Sequence, residues 1–402
     1  MGVIKPLIDI KDYDVKKMCN NFLLIGVLMM LGFSGMPIHA EQMPDVVHGV
    51  IFSDPRLFAG WPANYGIWQW DDEVLVSFAL SPYQQRGDFH NIDDKAYQCE
   101  VFARSLDAGK TWQIETHPEV SIPGRFDDTG RYIKDDSYPA ISKPTASPGG
   151  IQFDHPDFAL RSWKNHFYIS YDRGHHWQGP YNMPTFGYQT VMARTNYLVT
   201  GPSSCRLFFS VTNMDKNKGE HGRTLMAQTT DGGKTFEMVS WVTADPLDGL
   251  DEKSLPAYAI MPGILQMDDG TILSANRWRI RRTWWIDLMG STDQGRTWKL
   301  WSELKIDNSN PASLVNLGGK RIAMVYGWRN RPYGLRGRIS QDGGHTWSDE
   351  YVLRDDGREW DLGYVRAVVL KDGRVLIIYY YTTKQLKPEH IAYTIWTPPS
   401  VP

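Results

Sequence analysis

Cysteine is scarce in this sequence, which has three among 402 residues. Cys19 lies close to the N-terminus, and the other two, Cys99 and Cys205, are too few to build a disulfide framework. We therefore expect both to be buried free thiols in strands. No group of Cys and His residues has zinc-ligand spacing, so we predict neither a metal nor a cofactor.

An excess of charge of either sign is also missing. The 43 Lys and Arg residues oppose 46 Asp and Glu residues, which gives a net charge of −3. This balance gives no indication of a nucleic-acid partner or of binding to a membrane surface. No stretch carries convincing helical periodicity either, so we expect an all-β fold.

The sequence also lacks a long hydrophobic run. The apolar run Phe22–Phe33 is too short to span a bilayer, but it follows two lysines and leads to a small-residue end at Ala40. We therefore predict that residues 1–40 are a secretory signal peptide with an upstream extension, cleaved after Ala40. The protein is then exported, to the periplasm or the exterior, and residues 41–402 form one domain.

One short phrase, Ser/Thr-x-Asp-x-Gly-x-Thr-Trp, is repeated five times with small variations. The copies are Ser105–Trp112, Ser170–Trp177, Thr229–Phe236, Ser291–Trp298 and Ser340–Trp347. Such spacing indicates a repeat of one supersecondary unit. The aspartate can cap its own backbone and the glycine accepts a positive φ, as in a hairpin turn, while the terminal aromatic pins the turn to the sheet. We predict that these aspartates are structural.

Apolar, β-rich segments accompany these repeats. They are residues 66–80, 190–200, 263–277, 313–329 and 364–381. Four of them contain an Asp-Asp, Asp-Gly or Gly-Gly turn and are predicted hairpins. With the strand that enters each repeat and the strand that leaves it, they predict the four-stranded blades of a propeller. A last blade at Leu362–Trp396, completed by the N-terminal run Val46–Phe52, brings the count to six.

Candidate functional residues are polar side chains where core residues are expected. His48 interrupts the apolar run Val46–Phe52 and is followed by Arg56, Trp61 and Asn64. A histidine within a strand is more commonly structural, so both interpretations of His48 stay open on local grounds.

Two further regions lie between the first two blades. His155 and Asp157 flank a proline in FDHPDFA, which fits either a general acid–base pair or a capped turn. The long polar insert Ser121–Gly149 is the segment we expect to cover a substrate site.

Four arginines occupy comparable positions in different blades: Arg194, Arg277, Arg329 and Arg366. A guanidinium group binds a carboxylate at two points, so arginines that converge on an axis suit a carboxylated sugar. The alternative is that they form salt bridges between blades.

The repeated phrase is the Asp-box, and residues 41–402 resemble the sialidase superfamily of β-propellers. The Arg-Ile-Pro signature of true sialidases is absent, and the nearest text is Asp54-Pro55-Arg56-Leu57. Tyr364 is the candidate for the sialidase tyrosine, but no glutamate is obviously placed to activate it. A closer resemblance is to glycoside hydrolase family 145, exported α-L-rhamnosidases that remove rhamnose linked to glucuronic acid in plant arabinogalactan glycans.

This second resemblance implies a seven-bladed propeller, against the count of six. It also implies a single catalytic histidine near the mature N-terminus, which His48 matches. His48 would act as acid or base with assistance from a substrate group. Arg56 and one or more of the other arginines would then hold the uronate. The expected partner is an oligosaccharide or polysaccharide with uronic acid, and the expected state is a monomer.

Three other functions stay open at this point. A rhamnose–glucuronate polysaccharide lyase would also use His, Tyr and Arg around a carboxylate, but would release an unsaturated product. An exo-sialidase would release sialic acid. A non-catalytic glycan-binding propeller would bind without turnover, through stacking aromatics such as Trp61, Trp278 or Trp284.

Overall fold

The computed structural model describes residues 44–400 apart from 88, 189, 216–218, 244–256, 281–282, 307 and 309. The predicted signal peptide, residues 1–40, lies outside the described residues. Strands dominate the described part of the chain, and its only helix is a single turn. The prediction of an all-β fold is therefore confirmed.

The strands form antiparallel groups that follow one another along the chain. The N-terminal strand is β1 (Asp45–Phe52). The first group comprises β2 (Leu57–Gly60), α1 (Pro62–Tyr65), β3 (Gly66–Trp70), β4 (Glu73–Pro82), β5 (Cys99–Ser105) and β6 (Gln113–Glu115). The insert that follows contains the hairpin of β7 (Gly124–Phe126) and β8 (Tyr132–Lys134).

The later groups repeat the same meander. The second group comprises β9 (Ala159–Lys164), β10 (His166–Ser170) and β11 (Gln178–Asn182). The third group comprises β12 (Thr190–Gly201), β13 (Ser204–Asp215), β14 (Gly219–Thr229) and β15 (Glu237–Trp241). The fourth group comprises β16 (Ala257–Gln266), β17 (Ile272–Ile280), β18 (Thr283–Ser291) and β19 (Lys299–Leu304).

Two further groups complete the ring. The fifth comprises β20 (Ser313–Asn316), β21 (Ile322–Trp328), β22 (Tyr333–Ser340) and β23 (Tyr351–Gly357). The sixth comprises β24 (Gly363–Val369), β25 (Val375–Tyr381) and β26 (His390–Thr397). Apart from the β7–β8 hairpin, the described strands thus form six meanders, of which the second has three strands and the sixth gains its fourth from β1. The pairs β9–β12 and β14–β16 link the second, third and fourth meanders edge to edge. The choice between six and seven blades stays a prediction.

The predicted hairpins form as expected. The four segments that contain a turn dipeptide become β3–β4, β16–β17, β20–β21 and β24–β25. The fifth segment, residues 190–200, contains no turn dipeptide and runs as the single long strand β12. In this chain, therefore, a turn dipeptide between two apolar runs distinguishes the segments that form hairpins from the segment that forms a single strand.

The N-terminal strand closes the ring. β1 pairs antiparallel with β26, from Asp45 opposite Thr397 to Phe52 opposite Ile391. The prediction that this N-terminal run supplies the outer strand of the last blade is confirmed. Closure of this kind removes the free sheet edges that would otherwise invite pairing with another chain.

Each Asp-box forms the turn between the last two strands of its group. In the third copy, Asp231 accepts hydrogen bonds from the backbone N–H of Thr235 at 2.9 Å and from its hydroxyl at 2.6 Å. The hydroxyl bond and the backbone bond lower the pKa of Asp231 to about 2. The same contacts recur at Asp107, Asp293 and Asp342. The structural role predicted for these aspartates is confirmed.

Apolar side chains fill the interfaces between neighbouring groups. The box glycine Gly109, for example, lies so close to Leu376 of the sixth group that a Cβ atom there would be 2.8 Å from it. Cys99 and Cys205 are buried and free, as expected.

The innermost strand of the first group is interrupted near the ring axis. β2 and β3 both pair with β4, and α1 lies between them, after Trp61 at a φ of 63°. On β24, Arg366 donates to the carbonyl oxygen of Ala63 at 2.8 Å, and on β12 the hydroxyl of Thr195 donates to that of Tyr65. These bonds anchor α1 to the inner strands of the third and sixth groups.

Candidate functional site

Two of the four candidate arginines, Arg194 and Arg366, line a small axial cavity of about 10 Å³, which has room for about one water. Arg194 Nε donates to Asn64 Oδ1 at 2.7 Å, so Asn64 also lies at the axis. Arg366 donates to Asn196 Oδ1 at 3.1 Å. Burial and repulsion from Arg194 lower the pKa of Arg366 to about 10.

The other two arginines, Arg277 and Arg329, flank Tyr364. Arg277 is 7% exposed, and its guanidinium lies 4.3 Å from the ring centroid of Trp284. Burial lowers the pKa of Arg277, and repulsion from Arg329 adds to this effect. The Arg329 guanidinium lies 5.5 Å from the ring centroid of Tyr364. Among the described residues, neither Arg277 nor Arg366 has a carboxylate within salt-bridge distance.

A buried carboxylate, Asp361, organises the groups beside Arg329. Asp361 Oδ1 accepts a hydrogen bond from the hydroxyl of Tyr380 at 2.5 Å and contacts Nδ1 of His90 at 2.8 Å. Arg329 Nη2 donates to the hydroxyl of Tyr380 at 2.8 Å and lies 3.7 Å from Asp361 Oδ1. The Asp361 side chain is 1% exposed, so these hydrogen bonds are shielded from water.

His90 is the reachable member of this network, with a side chain that is 19% exposed. Its ring packs edge-on against Trp61 and Phe89, each at a centroid distance of 5.0 Å. With Nδ1 on Asp361, Nε2 has no partner in the described part of the chain. A histidine fixed at one nitrogen by a carboxylate is oriented to take or give a proton at the other.

A second buried carboxylate lies behind this pair. Glu389 is 1% exposed and accepts a hydrogen bond from Asn91 Nδ2 at 2.8 Å. Burial and the nearby charge of Asp361 raise the pKa of Glu389 to about 8, so it is mostly protonated at neutral pH. A buried carboxyl group whose pKa is raised this far is typical of sites that handle protons.

The sequence alone pointed to the arginines but missed His90, Asp361, Tyr380 and Glu389. His90 lies in the irregular segment between β4 and β5, and Asp361 just before β24. Their contact joins residues 271 positions apart and exists only because the ring closes. The one available clue was Asp361 itself, an acidic residue at the start of the apolar segment that contains Tyr364.

His48 lies elsewhere, on the outer strand β1. It is exposed, and its Nδ1 contacts the hydroxyl of Thr394 at 2.9 Å. That hydroxyl is 2.7 Å from the hydroxyl of Tyr379, which accepts a bond from Arg354 at 3.1 Å. Partial burial of the ring and the charge of Arg354 lower the pKa of His48, so the imidazole is neutral at pH 7. The role predicted for His48 stays a prediction.

Arg56 forms local contacts. Its guanidinium donates to Asp54 at 3.0 and 2.7 Å, and to the carbonyl oxygen of Asp127 in the insert at 2.9 Å. Arg56 thus tethers the insert 121–149 to the first group. That the insert covers a substrate site stays a prediction.

His155 and Asp157 are held within a turn. Asp157 Oδ1 accepts a bond from Arg173 Nε of the second Asp-box at 2.6 Å, and the backbone N–H of Asp157 donates to His155 Nδ1 at 3.2 Å. These contacts are those of the capped turn that was the alternative to an acid–base pair. Trp61 is 7% exposed beneath Phe58 and His90, so little of its ring is open for a sugar to stack on.

The residues near the ring axis combine buried arginines with His90, a side chain that can give or take a proton. Among the described residues, Arg277 and Arg366 have no carboxylate within salt-bridge distance, and Asp361 is shared with Tyr380 and His90. Within the described ranges, no set of three His, Cys, Asp or Glu residues is grouped to hold a metal ion. The same ranges contain no helix long and apolar enough to cross a membrane.

Residues 141–377 match the BNR repeat-like domain, over more than half of the chain. The chain belongs to the BNR repeat-like family. Among solved structures, this BNR repeat-like protein is similar to a Dyadobacter fermentans protein of unknown function, with a TM-score of 0.63 and 22% identity over 88% of this chain and 99% of that one. It is also similar to a Penicillium chrysogenum α-L-arabinanase complexed with arabinobiose, with a TM-score of 0.53 and 13% identity over 88% and 98% of the two chains.

At these identities the similarity establishes the fold, which is an all-β propeller. A Trypanosoma rangeli sialidase in complex with sialic acid matches with a TM-score of 0.47 and 11% identity, over 88% of this chain and 59% of that one. No curated protein matches the BNR repeat-like chain.

Proposed function

We propose that this protein is an exo-acting glycoside hydrolase for glycans that carry a uronic acid. We further propose that its reaction takes place at the axial site, which is formed by Arg277, Arg329, Asp361 and His90. The observation that carries the proposal is the pair of buried arginines, Arg277 and Arg329, beside the Asp361–His90 pair. The arabinanase among the similar folds supports a carbohydrate substrate.

The arginines supply the binding of the substrate's charge. Arg277 is buried without a carboxylate among the described residues, and its Nε has no hydrogen-bond partner there. Burying a guanidinium without a counter-charge is costly, and a substrate carboxylate that binds it in two places offsets that cost. Arg329 is fixed by Tyr380 and by the carbonyl oxygen of Leu362, so it is already oriented.

His90 supplies the proton transfer. Its Nε2 would protonate the oxygen of the bond that breaks, while Asp361 stabilises the charged imidazole and holds its orientation. A single histidine does not provide both members of the usual carboxylate pair. A group of the substrate, such as a sugar 2-hydroxyl or the uronate carboxylate, would therefore stabilise the positive charge that develops at the anomeric carbon as the bond breaks. A water molecule would then supply the hydroxyl of the released sugar and return a proton to His90 Nε2.

The finer proposal is an α-L-rhamnosidase that removes rhamnose from glucuronic acid in arabinogalactan-type glycans. It rests on the resemblance to glycoside hydrolase family 145 and on the cationic axis, which suits the uronate. In that family resemblance the histidine is His48, which has a fixed Nδ1 and a neutral ring. His48 is therefore the second candidate position for the proton transfer.

Gum arabic distinguishes these alternatives in one assay that reads released rhamnose, released sialic acid and the ultraviolet absorbance of unsaturated products. For the chain without its predicted signal peptide, residues 41–402, we expect rhamnose to be released, with neither sialic acid nor unsaturated products. His90→Gln should lower kcat by about 100-fold or more, because acid–base groups contribute at least that much. Arg277→Gln should mainly raise KM, because it removes binding of the uronate.

His48→Gln is the matched variant. If it abolishes rhamnose release while His90→Gln does not, the reaction belongs to the outer strand and the axial proposal is wrong. Unsaturated products would identify a lyase, and released sialic acid a sialidase. Binding of the glycan without any product would identify a glycan-binding propeller.

A further inference from the structure

One position of the repeat is charged in the third group alone. The Ser or Thr that opens each Asp-box pairs with a residue of the preceding strand, and the next residue along that strand can be compared between groups. In chain order these residues are Leu75, Leu160, Arg206, Leu273 and Ala323. All are at most 7% exposed, so an arginine stands where the other four boxed groups have an apolar core residue.

The contacts of Arg206 leave its charge unbalanced. Arg206 Nη2 donates to the amide oxygen of Gln294 at 3.0 Å, and its buried Nε has no partner. The charged neighbour is another arginine, Arg296, and burial together with this repulsion lowers the pKa of Arg206. In the described part of the chain, no carboxylate lies within salt-bridge distance of either arginine.

The corresponding place in the first group is balanced. Arg104 on β5 lies between Glu73, at 2.5 Å, and Glu115, at 2.8 Å. Arg173 of the second Asp-box, at the position that Gln294 occupies in the fourth, also bonds Glu73. The first group thus balances the arginines at this place with carboxylates, whereas the third group leaves Arg206 without one among the described residues.

A groove opens at Arg206, between the sheet of the third group and the Asp-box turn of the fourth. Its volume is about 650 Å³, within the range of about 300–1,000 Å³ that is usual for ligand sites. Its charged lining residues are Arg206, Arg296 and Glu237, and polar and small apolar side chains complete the lining. Two arginines against one glutamate make the lining net positive, and Glu237 already accepts a bond from Gln228 at 3.4 Å.

We propose that this groove is a second glycan-binding site, separate from the axis, which takes an acidic sugar unit with its carboxylate on Arg206 and Arg296. The amides of Gln228 and Gln294 and the hydroxyls of Thr200, Ser204 and Thr230 supply partners for sugar hydroxyls. Met238 and Val239 give the apolar edge that a pyranose ring contacts. The choice of a sugar rests on the proposed function, whereas the binding of an oxyanion rests on the groove alone.

Calorimetric titration with trigalacturonate tests the proposal, with maltotriose and inorganic sulfate as the neutral and the sugar-free probes. The central variant is Arg206→Leu, because leucine occupies this position in three of the other boxed groups. It should weaken the binding of trigalacturonate at the groove by about tenfold or more, since hydrogen bonds to a charged group are lost. Its thermal midpoint should equal or exceed that of the wild type.

Arg296→Gln, at the exposed rim, should weaken binding in the same direction without touching the core. Arg277→Gln at the axis should leave the groove's share of the binding intact. Rhamnose release from a short substrate should be unchanged in Arg206→Leu, so loss of catalysis and loss of groove binding are read separately.

If Arg206→Leu binds trigalacturonate as the wild type does, the proposal is wrong. Equal binding of sulfate and trigalacturonate would show an oxyanion site and overturn its assignment to sugars.

Discussion

Glu389→Gln should remove a large part of the pH dependence of the protein's free energy of unfolding. Glu389 is 1% exposed, and its Oε2 has no hydrogen-bond partner in the described part of the chain. Burial, with a further contribution from Asp361, raises the pKa of Glu389 from 4.5 to about 8. Glutamine has the shape of the protonated acid and keeps an oxygen for the bond from Asn91.

The sign and the size of the effect follow from proton linkage. In the unfolded chain Glu389 ionises above its ordinary pKa of 4.5, whereas in the folded protein it keeps its proton until about pH 8. Folding therefore takes up a proton in this window, and stability falls as the pH rises through it. Each pH unit inside the window costs about 1.4 kcal/mol, so the loss from about pH 5 to about pH 7.5 is about 3 kcal/mol.

Urea unfolding followed by tryptophan fluorescence at a series of pH values measures this difference. The free energy of unfolding of the wild type should fall relative to that of Glu389→Gln by about 3 kcal/mol over that range. Asp349→Asn, which changes an exposed carboxylate, is the control and should run parallel to the wild type. Parallel curves for the wild type and Glu389→Gln would refute the argument that burial keeps this group protonated.

Two further predictions concern the scaffold. Trp396 is 0% exposed in the sixth group, so Trp396→Ala should lower the free energy of unfolding by about 3–5 kcal/mol in urea unfolding. Val47→Ala, which changes an exposed side chain, should have little effect. Equal effects of the two changes would contradict this prediction. Deletion of residues 45–52 should expose the edge of β26 and cause association that light scattering detects, and a monomeric, fully stable deletion variant would contradict the closure argument.

The fold was predictable because its signals are local. An Asp-box holds its aspartate, its glycine and the hydroxyl that caps the aspartate within eight residues, as Asp231 and Thr235 show. The turn dipeptides likewise lie inside the hairpins that they form. Helix α1 escaped prediction because a single turn, Pro62–Tyr65, is too short to show helical periodicity.

The site was predictable only in part, because its contacts are not local. Arginines inside apolar segments are conspicuous in a sequence, and the structure gathers Arg194, Arg277, Arg329 and Arg366 near the axis. The Asp361–His90 contact instead joins the sixth group to a loop of the first, and no local pattern marks it. Arg56 looked available in the sequence, but the carboxylate that engages it, Asp54, is two residues away.

The distribution of carboxylates separates two kinds of buried arginine in this propeller. Some are paired, namely Arg104 with Glu73 and Glu115 within the first group, and Arg161 with Glu100 between the first two groups. Others, among them Arg206, Arg277 and Arg366, have no carboxylate partner in the described part of the chain. Because a buried charge without a counter-ion is costly, the unpaired arginines reduce stability in the absence of a ligand.

Replacing an unpaired arginine with an apolar residue should therefore preserve or raise stability and reduce binding. Replacing a paired arginine leaves a buried carboxylate uncompensated and should lower stability. Arg366 is the intermediate case, since backbone carbonyl oxygens hold its guanidinium across the axis and its loss would also release α1.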